Sequence, residues 1–117
     1  MALVRPVRGL RYDLRRAGDA SQLLAPPYDV VDAAGRARIA ARSPFNCIHV
    51  ILPEGEGDAK YIEGARQFTA LKSGGLVHDA EPSFYVYHQI FTSGGQQYTR
   101  KGFIGLIELT RFGAGPV

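Results

Sequence analysis

Apolar and polar positions change their period several times along this 117-residue chain. Residues 3–12, LVRPVRGLRY, alternate β-formers with arginine and are broken by Pro6 and Gly9. Proline has no ladder donor, so this segment predicts an edge strand or a bulged strand. Asp19 predicts a cap for a short turn running through Leu24. The residue before a proline is pushed out of the helical region, which makes Ala25 and Pro26 extended and 25–28 polyproline-like. Asp32 then predicts the N-cap of a short helix over 33–42, AAGRARIAAR, which offers Ile39 and alanines for burial and ends at Ser43-Pro44. The β-branched apolar run 46–52, NCIHVIL, reads as a buried strand between Pro44 and Pro53.

The clearest helical period lies in 58–72, DAKYIEGARQFTALK. Asp58 is its expected cap. Tyr61/Ile62, Ala65, Phe68/Thr69 and Leu71/Lys72 form its expected buried face, and Ser73-Gly74-Gly75 is its stop. Period two returns in 83–92 and 97–109, joined around Ser93-Gly94-Gly95-Gln96 as an antiparallel hairpin. Pleating places Phe84, Val86, His88 and Ile90 on one face, with Tyr85, Tyr87, Gln89 and Phe91 on the other. Both faces are apolar, which predicts a hairpin inside a sheet. The elements sum to an α+β fold: a mixed β-sheet, a C-terminal hairpin, and helices over 33–42 and 58–72 packed on it.

Composition narrows the class. The length suits a single domain over 1–117, and 45% apolar with 21% charged residues is ordinary for a globular protein. No apolar run approaches the roughly 20 residues that cross a bilayer, so no membrane partner is expected. The N-terminus lacks the apolar centre of a signal peptide. Cys47 is the single cysteine, which fits a reducing compartment and a cytoplasmic protein. The net charge of +3 is uneven: residues 1–45 hold eight arginines against four aspartates. Arginine is the better fork for phosphate, so a basic end can point to a nucleotide or nucleic-acid partner. The same excess also arises from arginine replacing lysine in a high-GC genome, and no aromatic-basic interleaving accompanies it.

Chemistry-bearing motifs are sparse. The chain has no GxxxxGK[ST], GxGxxG or CxxC. Cys47 and His49 are two apart in an apolar run, where cysteine behaves as a small hydrophobe. His49, His78 and His88 have no ligand spacing, so no metal is expected. Asp32 is explained by capping. Tyr28-Asp29, at the end of the stiffened loop Ala25-Pro26-Pro27, is open to two readings, a turn role or ligand contact.

RPVRGLRYD (5–13), APPYDVV (25–31), RSPFNCIHVILPEGE (42–56), GLVHDAEPSFYVYHQIFT (75–92) and YTRKGFIGLIEL (98–109) follow one another with familiar spacing. Together they resemble the N-terminal part of the bacterial and archaeal family called domain of unknown function 1015, which sometimes carries a ParB-like label. Family members look considerably longer, with a later Asp-Gly-His-His-Arg-Tyr segment similar to that of ParB/sulfiredoxin-like folds. Those folds include nucleotide hydrolases and free-serine kinases. The resemblance therefore implies an N-terminal portion without its own catalytic centre. It would form part of a cleft for a nucleotide or phosphorylated small molecule, completed by downstream residues, in a protein that transfers a phosphoryl group. Arg8, Arg11, Tyr12, Tyr28 and Asp29 are the expected ligand-binding residues, with the cofactor unassigned. The alternative is a ParB-like nucleic-acid or protein interaction module. The apolar hairpin adds an expectation of self-association through strand 97–109 or its neighbour.

Overall fold

The computed structural model describes residues 2–111 and 113. The chain divides into two compact units: Leu10–Val77, and a second made of the first nine residues with those from His78 onward. The α+β class holds. In place of one mixed sheet, the strands of the described residues form three two-stranded ladders.

In the continuous unit, β2 (Leu10–Tyr12) pairs with β3 (Leu76–His78). Asp13 caps the four-residue helix α1 (Leu14–Ala17) by accepting from the Arg15 N–H. Asp19 does the same for a 3-10 turn over Ala20–Gln22, accepting from the Ser21 N–H at 2.9 Å. That contact holds the exposed Asp19 carboxyl below its ordinary pKa. The expected cap at Asp32 is present: its Oδ1 accepts from the Gly35 N–H at 2.7 Å and starts α2 (Ala33–Ala40), which buries Ile39.

The run 46–52 is a correction. It is not a strand but the short helix α3 (Ile48–Ile51). The reason lies in the first residue of the run, where Asn46 Oδ1 accepts from the Ile48 N–H two residues on at 2.9 Å and nucleates the turn. A β-branched run of this length suits either state, and the side-chain cap decides between them.

The long helix α4 (Asp58–Gly74) begins from Gly57 in the left-handed region (φ 58°), so Asp58 lies in its first turn rather than at the cap. Its inward face also differs from expectation. Leu71 and Gly64 are buried, whereas Tyr61 and Ile62 are 68% and 72% exposed. Glycine explains this. A Cβ at Gly64 would stand 3.2 Å from Pro53 Cγ, and one at Gly74 2.7 Å from the Phe45 ring. The helix presses its smallest residues against its neighbours, and the bulky ones face outward.

The core of this unit is Leu23, Ile39, Ile48 and Leu71, with Asn46 buried among them at 1% exposure. Asn46 Nδ2 donates to the carbonyls of Gln22 (2.8 Å) and Leu24 (3.1 Å). The Cys47 N–H takes the carbonyl between them, that of Leu23, at 2.8 Å. Three successive carbonyls are thus satisfied from one strand-sized stretch of chain, as buried backbone requires.

In the second unit, β4 (Tyr85–Ser93) and β5 (Gln96–Ile104) form the expected hairpin in antiparallel register, Tyr85 opposite Ile104 and Ser93 opposite Gln96. Gly94 and Gly95, both at positive φ (58° and 76°), make the two-residue turn that this register demands. The hairpin is not interior to a larger sheet. The expected second strand over 97–109 ends early because Gly105 seats the backbone against Phe84 and the Arg5 carbonyl. After it, β6 (Leu106–Ile107) leaves to pair with β1 (Val4–Arg5). Val7 and Ser83 exchange both backbone hydrogen bonds at 3.0 Å. All buried side chains lie in the continuous unit; among the described residues this second unit buries none.

Candidate functional site

Pro26 and Pro27 carry the chain extended into a 3-10 turn over Tyr28–Val30, with Pro27 at φ −52° and ψ 142°. The carbonyls of Gln22, Leu23 and Leu24 are pinned immediately before it, so the loop leaves a fixed base. Proline then removes most of its remaining freedom. Tyr28 is delivered with its ring 65% exposed.

That ring lines an open cavity of about 360 Å³. Val50, Ile51, Leu52 and Pro53 form an apolar floor, and Lys60, Tyr61 and Gly64 of α4 form the opposite wall. Lys60 Nζ stands 5.2 Å from the Tyr61 ring centroid, a cation–π distance that keeps the ammonium at the cavity. Arg36 fixes the floor: its Nε donates to the Leu52 carbonyl at 2.7 Å, and its guanidinium pairs with Glu54 at 3.0 Å.

A second cavity of about 250 Å³ is lined by Arg36, His49, Glu54, Glu63, Arg66 and Gln67. It is internally neutralised. Glu63 accepts from Arg66 (2.9 and 2.5 Å) and from Gln67 (2.9 Å). Those donors, Arg66 first, pull the Glu63 carboxyl down to about 2, and the Glu63 carboxylate in turn pushes the Arg66 pKa up. His49 Nε2 lies 3.0 Å from the Ser43 carbonyl. Among the described residues no three His, Cys, Asp or Glu side chains gather as a metal cluster would require.

The expected ligand-binding residues are distributed as follows. Tyr28 lines the first cavity. Asp29 follows it in the same turn, exposed and outside the cavity lining. Tyr12 is half-buried and its hydroxyl donates to the Phe45 carbonyl at 2.7 Å. Burial, then the nearby Cys47, pushes its pKa up to about 12, so it stays a neutral donor. Arg11 is exposed on β2. Arg8 belongs to the other unit, where its Nε donates to the Asp79 carbonyl at 2.6 Å.

Lys60, Tyr61 and the floor Val50–Pro53 were not anticipated. The only signal available was that α4's apolar residues outnumber those it can bury, and periodicity alone cannot say which stay exposed.

Over residues 4–117 the chain matches the family described as protein of unknown function (DUF1015). The chain belongs to that family. Neither a curated protein nor a solved structure matches it. Family membership thus agrees with the sequence resemblance and brings no substrate with it. Within this DUF1015 chain, no helix of the described residues is long and apolar enough to cross a membrane.

Proposed function

We propose that this chain works in the cytoplasm as a binding element rather than a catalyst, holding part of a nucleotide or phosphorylated small molecule. The observation that carries the reading is the shared cavity of Tyr28, Lys60 and Tyr61 over an apolar floor. A planar base has two phenol rings and aliphatic surface to lie against, and a phosphate has the Lys60 ammonium. The volume is at the lower end for small-molecule sites, enough for one such group. Phosphoryl transfer itself would draw on residues outside this chain, as the family resemblance implies. Asp29, next to Tyr28 in the same turn, is assigned to the rim, and Tyr12, whose hydroxyl donates to the Leu23 and Phe45 carbonyls, to positioning the loop.

Calorimetric titration with ADP, ATP and inorganic phosphate tests this. The nucleotides should bind more tightly than phosphate alone. Tyr28→Ala and Tyr61→Ala should each weaken ADP about 3- to 10-fold, the value of one aromatic contact of 0.5–1.5 kcal/mol. Unchanged affinity in Tyr28→Ala combined with Asp29→Ala would remove the proposal.

The second reading, a ParB-like interaction module, draws on the N-terminal arginines. Several of them already serve the fold: Arg8 and Arg36 hold carbonyls, and Arg16 donates to those of Leu76 and Ser73. Duplex DNA binding that falls steeply with salt would favour this reading.

A further inference from the structure

The hairpin carries an arrangement that neither strand shows alone. The register places Tyr87 opposite Gly102, Gln89 opposite Arg100, and Phe91 opposite Tyr98. Opposed residues share a face, so all six belong to one side of the ribbon. Phe91 and Tyr98 are stacked, with centroids 5.6 Å apart and planes 23° from parallel. The Arg100 guanidinium lies 5.5 Å from the Phe91 centroid. Gly102 gives Tyr87 a flat seat: a Cβ there would stand 2.5 Å from the ring. The three rings stay partly open to solvent, Tyr87 at 44%, Phe91 at 37% and Tyr98 at 45% exposure. Between Tyr85 and Ile104 the chain has no acidic residue, and Arg100 supplies a cation on this face, while Lys101, opposite His88, belongs to the other.

We propose that this face of the hairpin binds single-stranded nucleic acid with little sequence preference. Exposed rings alternating with a guanidinium are what such strands require, because every base has a face to stack and every linkage a charge to neutralise. Tyr87 and Phe91 are four residues apart, about 14 Å along the strand, which spreads the stacking positions over more than one nucleotide. Gln89 stands between them beside Arg100, able to reach a base edge or a phosphate. The absence of carboxylates on this face, with Arg100 at its centre, argues for a polyanion as its occupant. Base faces are open to stacking in an unpaired strand and stacked on one another in a duplex, so the unpaired strand is the committed partner.

Fluorescence anisotropy with labelled dT10 and dA10, at low and moderate salt, tests the proposal on the whole chain. Both oligonucleotides should bind, and a duplex of the same length more weakly. The slope of log affinity against log salt should be shallow, about −0.7 for one phosphate. Tyr87→Leu and Phe91→Leu keep an apolar side chain but remove the ring face, and each should weaken binding about tenfold. Arg100→Gln should flatten the slope by about 0.7. Far-ultraviolet circular dichroism of each variant identifies any that fails to fold, and Tyr98→Leu then replaces it. No binding at low salt overturns the proposal. So does binding indifferent to the leucine variants, which would mean pairing along the strand edges, and so does a preference for duplex.

Discussion

Replacing Asn46 is the most direct way to ask what holds the Tyr28 loop in place. The side chain is 1% exposed and makes three hydrogen bonds, donating to Gln22 and Leu24 and accepting from Ile48. Asn46→Ala removes all three and strands polar backbone in a buried site. Each bond is worth about 0.5–1.5 kcal/mol net, and a stranded group costs about 1–3 kcal/mol. Water reaching part of the gap offsets some of this, so the expected loss is about 3 kcal/mol. A chain of this length has total stability of roughly 6–18 kcal/mol. Urea unfolding followed by circular dichroism should therefore show a much lower midpoint with an unchanged slope. Asn46→Asp keeps the acceptor for Ile48 but turns a carboxylate toward two carbonyls. Burial raises that carboxyl's pKa above its unfolded value, so its destabilisation is greatest at neutral pH and shrinks as pH falls. A loss below about 0.5 kcal/mol for Asn46→Ala, or an aspartate variant insensitive to pH, would refute the reasoning.

Tyr12→Phe should cost about 1 kcal/mol by deleting the bond to Phe45. Because the folded pKa of about 12 lies above the ordinary 10, stability from Tyr12 is whole below pH 10 and lost as pH climbs toward 12. The phenylalanine variant should lack that alkaline loss in urea unfolding. Glu63 works in the opposite sense. Its folded pKa near 2 lies below the ordinary 4.5, so its contribution is present above pH 4.5 and fades as pH drops toward 2; carboxyl NMR titration of Arg66→Gln should show the Glu63 midpoint moving up. The face of the hairpin opposite the aromatic ribbon holds Val86, Ile90 and Phe103, 71%, 64% and 62% exposed, and among the described residues neither strand has a second ladder partner. We propose that the chain self-associates through this ribbon at high concentration, and a sedimentation profile that stays monomeric would count against it.

What the sequence disclosed depended on how local each signal was. Asp19, Asp32 and the Gly94-Gly95 turn act within three residues of themselves, and all three could be read directly. The alternation of 83–92 gave the hairpin faces for the same reason. The helix at Ile48–Ile51 could not be read, because apolar β-branched runs fit two states and the Asn46 cap settles the matter from its side chain. The inward face of α4 was hidden because glycines make it, and pattern reading weighs bulk. Tyr28 was found through its prolines. Its partners Lys60 and Tyr61 lie 32 and 33 residues away, joined to it only by the fold.

The ladder between Val4 and Ile107 sets a timetable for synthesis. Val4 is among the first residues made, yet its partner is added 103 residues later. At about 5–20 residues per second, the first strand waits on the order of 5–20 s without a neighbour. The Leu10–Val77 unit waits less: β2 meets β3 once residue 78 has been made, while the chain is still growing. The ladder between the first strand and β6 therefore closes after the Leu10–Val77 unit, and a nascent protein paused before residue 106 would carry a folded helical unit and an unpaired first strand.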